Sequence, residues 1–394
     1  MIDDYLSKIE EGLYPSKKEW FYKYGKHGKD YSTLLEYKKT NLTKIDLNTS
    51  EGSLYFNEKY ITPLMKDYYQ TQSLGLSSLN HFMETFEEIL IFSEVEGTLE
   101  IEGVKTSKKK IEEVLKKNSG FESKEQIILN MKLGIDYIFK NDITEENIHT
   151  LYQILSKDSL VEDEKLDGTY YRLNGVDIIG KYGEISDHGV EADLLPLWMS
   201  KFVIFIQNHM ETLNSLTYLM PHLIHYYMIY LHPYYDYNGR MARMLAYWYI
   251  LKCQFIEDKM PVLSEAINYN AKTKTEYYKA IENAREDGND LTYFFEAMLS
   301  LGKKFIDVYI KLDDLETKTR RSMSSITKNE LNVLKSIMLY IKDKEYFTWE
   351  DVSFVDKEQY SKQYYLRLLN SLTDKSLLSR TVSGKTYHFQ LKSV

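Results

Sequence analysis

Over most of the chain, apolar positions recur at the spacing of a helix. Leu79, Phe82, Phe86, Ile89 and Leu90 place one broad apolar face on a helix across Ser78–Phe92. Ser107 reads as an N-cap for a helix over Lys108–Lys117, and Lys124–Phe139 is amphipathic. Thr144, followed by two glutamates, opens a helix that runs through Leu155. Further helices are predicted near Ala192, at Pro221 and at Arg240, and then over Thr275–Glu286 and Leu291–Leu312. Proline is well suited to the first turn, where no amide donor is needed. Residues 1 to about 120 otherwise read as short helices with irregular connections. The period changes over Gly168–Ile185, where Tyr170, Tyr171, Val176, Ile178, Ile179 and several glycines predict a β-hairpin. Leu312–Ser325 is charged and polar, either a linker or the end of a long helix. Helices over Asn329–Ile341, Trp349–Phe354 and Lys362–Leu378 follow it. Ser379–Leu391 then alternates about Ser383 and Gly384 as a two-stranded wing, so the last unit is expected to be a winged helix.

Composition narrows the function classes. The 394 residues suffice for two or three domains with real cores. A net charge of -9 argues against the whole chain coating nucleic acid. The tail from Ser322 onward is net positive, with eleven basic and eight acidic residues. Cys253 is the only cysteine, which excludes a disulfide framework within the chain and a cysteine-based zinc site. Met1-Ile2-Asp3-Asp4 lacks the basic-then-apolar pattern of a signal peptide, and no apolar run is long enough to span a membrane. A reduced, cytoplasmic protein without membrane contact is expected.

The chemistry concentrates in one loop. Leu223, Tyr226, Tyr227 and Tyr230 belong to a strongly apolar helix that ends at His232-Pro233. A second apolar segment starts at Arg240 with Met244, Leu245, Trp248 and Ile250. Between them lie His, Asp, Asn, Gly and Arg, polarity that is costly to bury unless something binds it. The set suits a nucleotide. Asn238-Gly239 at a helix start offers amides and a positive dipole end to phosphate. Arg240 and Arg243 add charged donors, Asp236 can hold a Mg²⁺ that bridges phosphate oxygens, and His232 can act as a general base. Taken singly, each of these residues is more often structural; it is their density that points to a site.

The segment His232-Pro-Tyr-Tyr-Asp-Tyr-Asn-Gly-Arg-Met-Ala-Arg243 resembles the Fic family signature H-x-F-x-[D/E]-G-N-G-R-x-x-R. Tyr234 stands at the usual Phe, and Tyr237 stands at the usual first Gly. The resemblance implies a mainly α fold: a Fic-type helical core with a β-hairpin flap, here with a small C-terminal winged-helix (α+β) domain. The expected division is 1–120 for an N-terminal helical region, 121–312 for the core and 322–394 for the winged helix. It implies a transferase that moves AMP from ATP, with Mg²⁺, to a Ser, Thr or Tyr hydroxyl of a target protein. His232 would then deprotonate that hydroxyl and Asp236 would hold the metal. Asn238 and the Gly239 backbone would cradle phosphates, with Arg240 on the β side and Arg243 on the γ-phosphate. Tyr237 departs from the pattern, with a strained backbone and a side chain expected to crowd the nucleotide.

Two further segments gain meaning from the resemblance. The hairpin at 168–185 falls where the family carries a flap that pairs edge-on with the target. Thr98-Leu-Glu-Ile-Glu102-Gly103 resembles the family's inhibitory motif [S/T]-x-x-x-E-[G/N], and Thr98 and Glu102 share one face of a helix. A Glu102 carboxylate on Arg243 would take the place of a γ-phosphate oxygen. Other readings stay open: transfer of a related group, removal of AMP by the same site, or a nucleotide-sensing regulator that contacts DNA or protein through 322–394. A homodimer is also left open. His222 and His225 are spaced for a metal, but with no third ligand nearby in sequence they read as core histidines.

Overall fold

In the computed structural model the described residues are 2–24, 31–82, 114, 123–166, 168–179, 185–256, 266–267, 271–321, 326–340, 345–355, 360–384 and 386–392. Three short helices open the chain: α1 (Ile2–Glu10), α2 (Lys17–Tyr24) and α3 (Tyr31–Asn41). An antiparallel hairpin follows, β1 (Thr43–Thr49) and β2 (Gly52–Phe56), with Thr43 opposite Phe56 and Thr49 opposite Gly52. This corrects the expectation of helices with irregular connections. Ile45, Leu47 and Thr49 alternate inward along β1 and Leu54 and Phe56 along β2, the period of a half-buried strand. The long α4 (Glu58–Phe82) begins twenty residues before the helix expected at Ser78 and reaches only its first residues within the described chain.

The core helices are α5 (Ser123–Lys140), α6 (Glu145–Ser156), α7 (Leu195–Glu211), α8 (Met220–Leu231), α9 (Asn238–Lys252), α10 (Ala271–Glu286) and α11 (Thr292–Arg321). Thr144 caps α6, its side chain accepting from the Asn147 amide at 3.1 Å. The segment from Leu312 to Arg321 proves to be the end of α11. The expected hairpin lies later than its sequence boundaries: β3 (Asp177–Ile179) pairs with β4 (Ile185–His188), and Gly168–Val176 is irregular. Among the described residues no helix is long and apolar enough to cross a membrane.

Two packing arrangements position the site. α4 and α11 lie side by side along most of their length. A Cβ on Gly75 would meet Ile306 Cγ2 at 2.3 Å, and one on Gly302 would meet Tyr68 Cε2 at 2.6 Å. Each helix thus has a glycine notch for the other's side chain, which is why the backbones approach so closely. α8 and α9 pack on one another across the short loop that joins them. Every α8 residue from Met220 to Met228 is buried, so this helix forms the centre of the core. Trp248 of α9 donates to Asn141 O at 2.9 Å, pinning it to the end of α5.

The N-terminal helices are held by one buried ionic cluster. Lys38, 2% exposed, pairs with Asp287, lies 3.0 Å from Asp290, and sits over the rings of Tyr5, Tyr14 and Tyr293. Tyr14 donates to Asp290 at 2.7 Å. Burial and the neighbouring Asp290 charge push the Asp287 carboxyl up to about 7.

At the C-terminal end, α12 (Lys328–Tyr340), α13 (Trp349–Val355) and α14 (Lys362–Asp374) precede β5 (Leu378–Ser383) and β6 (Thr386–Leu391). Phe347 bridges Phe389 through two backbone bonds of 2.8 Å, adding a third strand-like segment beside β6. Glu330 of α12, 3% exposed, ties α12 to the end of α14 through Lys375 at 2.6 Å and Ser371.

Candidate active site

α8 ends because His232 turns left-handed, with φ 49° and ψ 56°, while its amide donates to Met228 O at 3.1 Å. Histidine is among the residues that tolerate this region better than most. The half-buried imidazole places Nδ1 3.3 Å from Ile229 O. That carbonyl can only accept, so Nδ1 carries the proton and Nε2 keeps its lone pair. Burial pushes the imidazole pKa down to about 4, and the charges of Arg172 and Arg285 add to this against Ile229 O and Asp236. Near neutral pH the ring is therefore an unprotonated base with a defined tautomer.

The loop that follows is braced from within. The buried Tyr234 ring stacks on Tyr152 at 3.9 Å between centroids. Asn238 Oδ1 accepts from the Tyr234 amide at 3.0 Å, and its Nδ2 donates to Tyr234 O at 2.8 Å. Both ends of the Asn238 amide thus close the loop on itself, a bracing task distinct from cradling phosphate. Exposed Asp236 takes the Tyr237 amide on Oδ1 at 2.6 Å, which orients its carboxylate at the loop mouth. Among the described residues no three His, Cys, Asp or Glu side chains gather as a metal cage. A single exposed carboxylate still fits a Mg²⁺ that takes its other ligands from water and substrate phosphates.

Tyr237 does adopt the strained backbone, at φ 68° and ψ 4°. Its ring is 3% exposed, its hydroxyl lies 2.5 Å from Ser159 Oγ, and the Arg240 guanidinium sits 3.7 Å from its centroid. The ring is a platform under Arg240. Arg243 reaches back along α9: a Cβ on Gly239 would lie 3.4 Å from its Nη1. Both guanidinium groups and the first amides of α9 therefore gather at one helix end, where a positive dipole end favours an anion.

Other side chains near the loop were not assigned from sequence. Arg172 is almost fully buried and donates from Nε to His232 O at 2.7 Å. Tyr235 receives the Leu173 amide on its hydroxyl at 3.1 Å. The tip of the β1–β2 hairpin docks on α8, where the Ser50 amide donates to Tyr230 Oη at 2.6 Å and Tyr227 donates to Asn48 O at 2.7 Å. His222 and His225 are buried, and His225 Nε2 pairs with the Tyr277 hydroxyl at 2.7 Å. Burial pushes His225 well below the usual range, with the charges of Arg243 and His222 adding to it. Thr98, Glu102 and Gly103 lie outside the described residues.

No protein-family model matches the sequence, and no curated protein matches it. Solved structures do. A Fic family protein from Desulfovibrio desulfuricans superposes with a TM-score of 0.51 at 17% identity, covering 84% of this chain and 97% of its own. The chain has the Fic fold. A Fic domain containing signaling protein from Bacteroides thetaiotaomicron is also similar, with a TM-score of 0.44 at 18% identity, covering 64% of this chain and 97% of its own. Within the Fic fold of this chain, the loop from His232 to Tyr237 joins α8, at the centre of the core, to α9, whose first turns carry Asn238 to Arg243.

Proposed function

We propose that this protein transfers AMP from ATP to a Ser, Thr or Tyr hydroxyl of a target protein. The observation that carries this reading is the His232 imidazole, neutral and with Nε2 free of the proton, on the same short loop as the anion-attracting end of α9. In the reaction, the target hydroxyl oxygen attacks the α-phosphorus while Nε2 of His232 takes its proton. The bond from the α-phosphorus to the bridging oxygen breaks, and pyrophosphate leaves. Arg240 receives charge on the β side and Arg243 on the γ side. Asp236 would hold a Mg²⁺, which when bound supplies positive charge to the phosphate oxygens. Asn238 keeps the loop in shape through the Tyr234 backbone. The hairpin β3–β4 presents the target segment, and the C-terminal helices and wing recruit the target. Glu102 restrains the reaction by competing for Arg243.

The test uses purified full-length protein, both wild type and Glu102→Gly, with ATP labelled at either the α- or the γ-phosphate. Protein should take up the α label and not the γ label, and His232→Ala should abolish uptake while ATP still binds. Uptake of the γ label, or of neither label in both proteins, ends this reading. Release of AMP from a modified target by the wild type would assign the site to removal instead.

A further inference from the structure

The hairpin β3–β4 and the His232 loop are separated by tens of residues, yet one buried cation joins them. Arg172 is 1% exposed. Its Nε donates to His232 O at 2.7 Å, its Nη1 to Asn174 O at 2.6 Å, and its Nη2 to Val190 O. Its backbone amide donates to Pro233 O at 3.0 Å. The planar fork therefore spans one carbonyl of the loop, one on the chain entering the hairpin and one on the chain leaving it. A lysine is a single point charge and cannot hold three carbonyls in one plane.

Gly189 is shaped around the same group. A Cβ there would lie 2.5 Å from Arg172 Nη2 and 2.9 Å from Val176 Cγ2. The Gly189 amide also donates to Val176 O at 2.9 Å, closing the base of the hairpin. Two positions far apart in sequence thus serve one contact.

We propose that Arg172 is a positioning residue: it locks the hairpin to the His232 loop so that the edge presenting a target hydroxyl and the base receiving its proton keep a fixed separation. The consequence for rate rests on the proposed transfer reaction, whereas the lock itself does not. Arg172 donates to the carbonyls of His232, Asn174 and Val190, none of which is a group assigned to the nucleotide. Its loss should therefore spare nucleotide binding and slow transfer.

The test compares full-length wild type with Arg172→Lys and Gly189→Ala. The alanine variant keeps every charge and serves if the lysine variant does not fold. Amide hydrogen exchange is read at 172–179, 188–190 and 232–238, and KM for ATP and kcat are read by α-label transfer to protein. All three stretches should exchange faster together, kcat should fall by about a hundredfold as expected of a misplaced reacting group, and KM for ATP should stay within about twofold. Unchanged exchange in folded variants overturns the lock, whether or not the wild type transfers AMP. Faster exchange with unchanged kcat, or a rise in KM for ATP matching the loss in kcat, overturns the positioning role. If neither the wild type nor Glu102→Gly transfers label, the proposed function fails while the exchange data still decide the lock.

Discussion

His232 combines a left-handed backbone with a half-buried ring, and both follow from its place at the end of α8. Its pKa lies near 4 rather than the ordinary 6.5, so the base form is present above that value and is lost as pH falls through it. The transfer rate should therefore hold nearly level from neutrality down towards about 4, read as kcat/KM against pH. An acid limb near 6.5 would mean that burial and the charges of Arg172 and Arg285 do not act on the free enzyme's base as argued. Tyr237 leads to a second prediction at this scale. Glycine there would relieve about 1 kcal/mol of backbone strain, but it would also remove the ring beneath Arg240. Tyr237→Gly should weaken ATP binding, whereas Tyr237→Phe, which keeps the ring beneath Arg240 and loses the hydroxyl contacts to Ser159 and Arg240, should stay nearer to wild type by calorimetry. Tighter binding by the glycine variant would show that crowding of the nucleotide dominates.

Among the elements, most core helices were legible because each carries its own apolar stripe, and some a capping residue; Thr144 opens α6 as its residue type predicts. The β1–β2 hairpin has only a faint signature, since the alternation of Ile45, Leu47 and Thr49 is short and follows helical sequence. The start of β3 was placed too early because Tyr170 and Tyr171 have strand-like composition but are used against His149 and Tyr234 instead. The N-terminal helices depend on Lys38. Lys38→Met should destabilise the protein by about 3–5 kcal/mol, because Asp287 and Asp290 would remain buried without their cation. Urea unfolding checks this, and a change under about 1 kcal/mol would mean that the carboxyls take up protons instead and the cluster adds little.

For the whole molecule, two predictions concern how distant segments bear on the site. Glu102→Gly should raise self-modification, by about tenfold for each 1.4 kcal/mol of repulsion relieved at the γ-phosphate position. The double variant with Arg243→Ala should lose that gain, because the γ-phosphate partner is gone. A single variant with the wild-type rate would mean that Glu102 has no inhibitory role. Removal of residues 326–394 should leave α-label transfer measurable, since every group assigned to the reaction lies before Arg321, where α11 ends. Loss of all transfer in a truncated protein with its helical circular dichroism intact would place part of the reaction in the tail.

Local pattern was enough to locate most of the core helices, the C-terminal hairpin and the segment from His232 to Arg243, because periodicity, caps and motif spacing are properties of neighbouring residues. The loop's charged groups were legible for the same reason: all lie within twelve consecutive positions. What the tertiary structure decided is how side chains from remote segments are used. Arg172 meets the His232 carbonyl across 60 residues, and Tyr14 meets Asp290 across 276. Partners so far apart leave no periodic trace in a single sequence. The Asn238 amide turned to the Tyr234 backbone, and the Tyr237 ring turned under Arg240 rather than into open space, because buried polar groups must find partners and the packing around α9 supplied these.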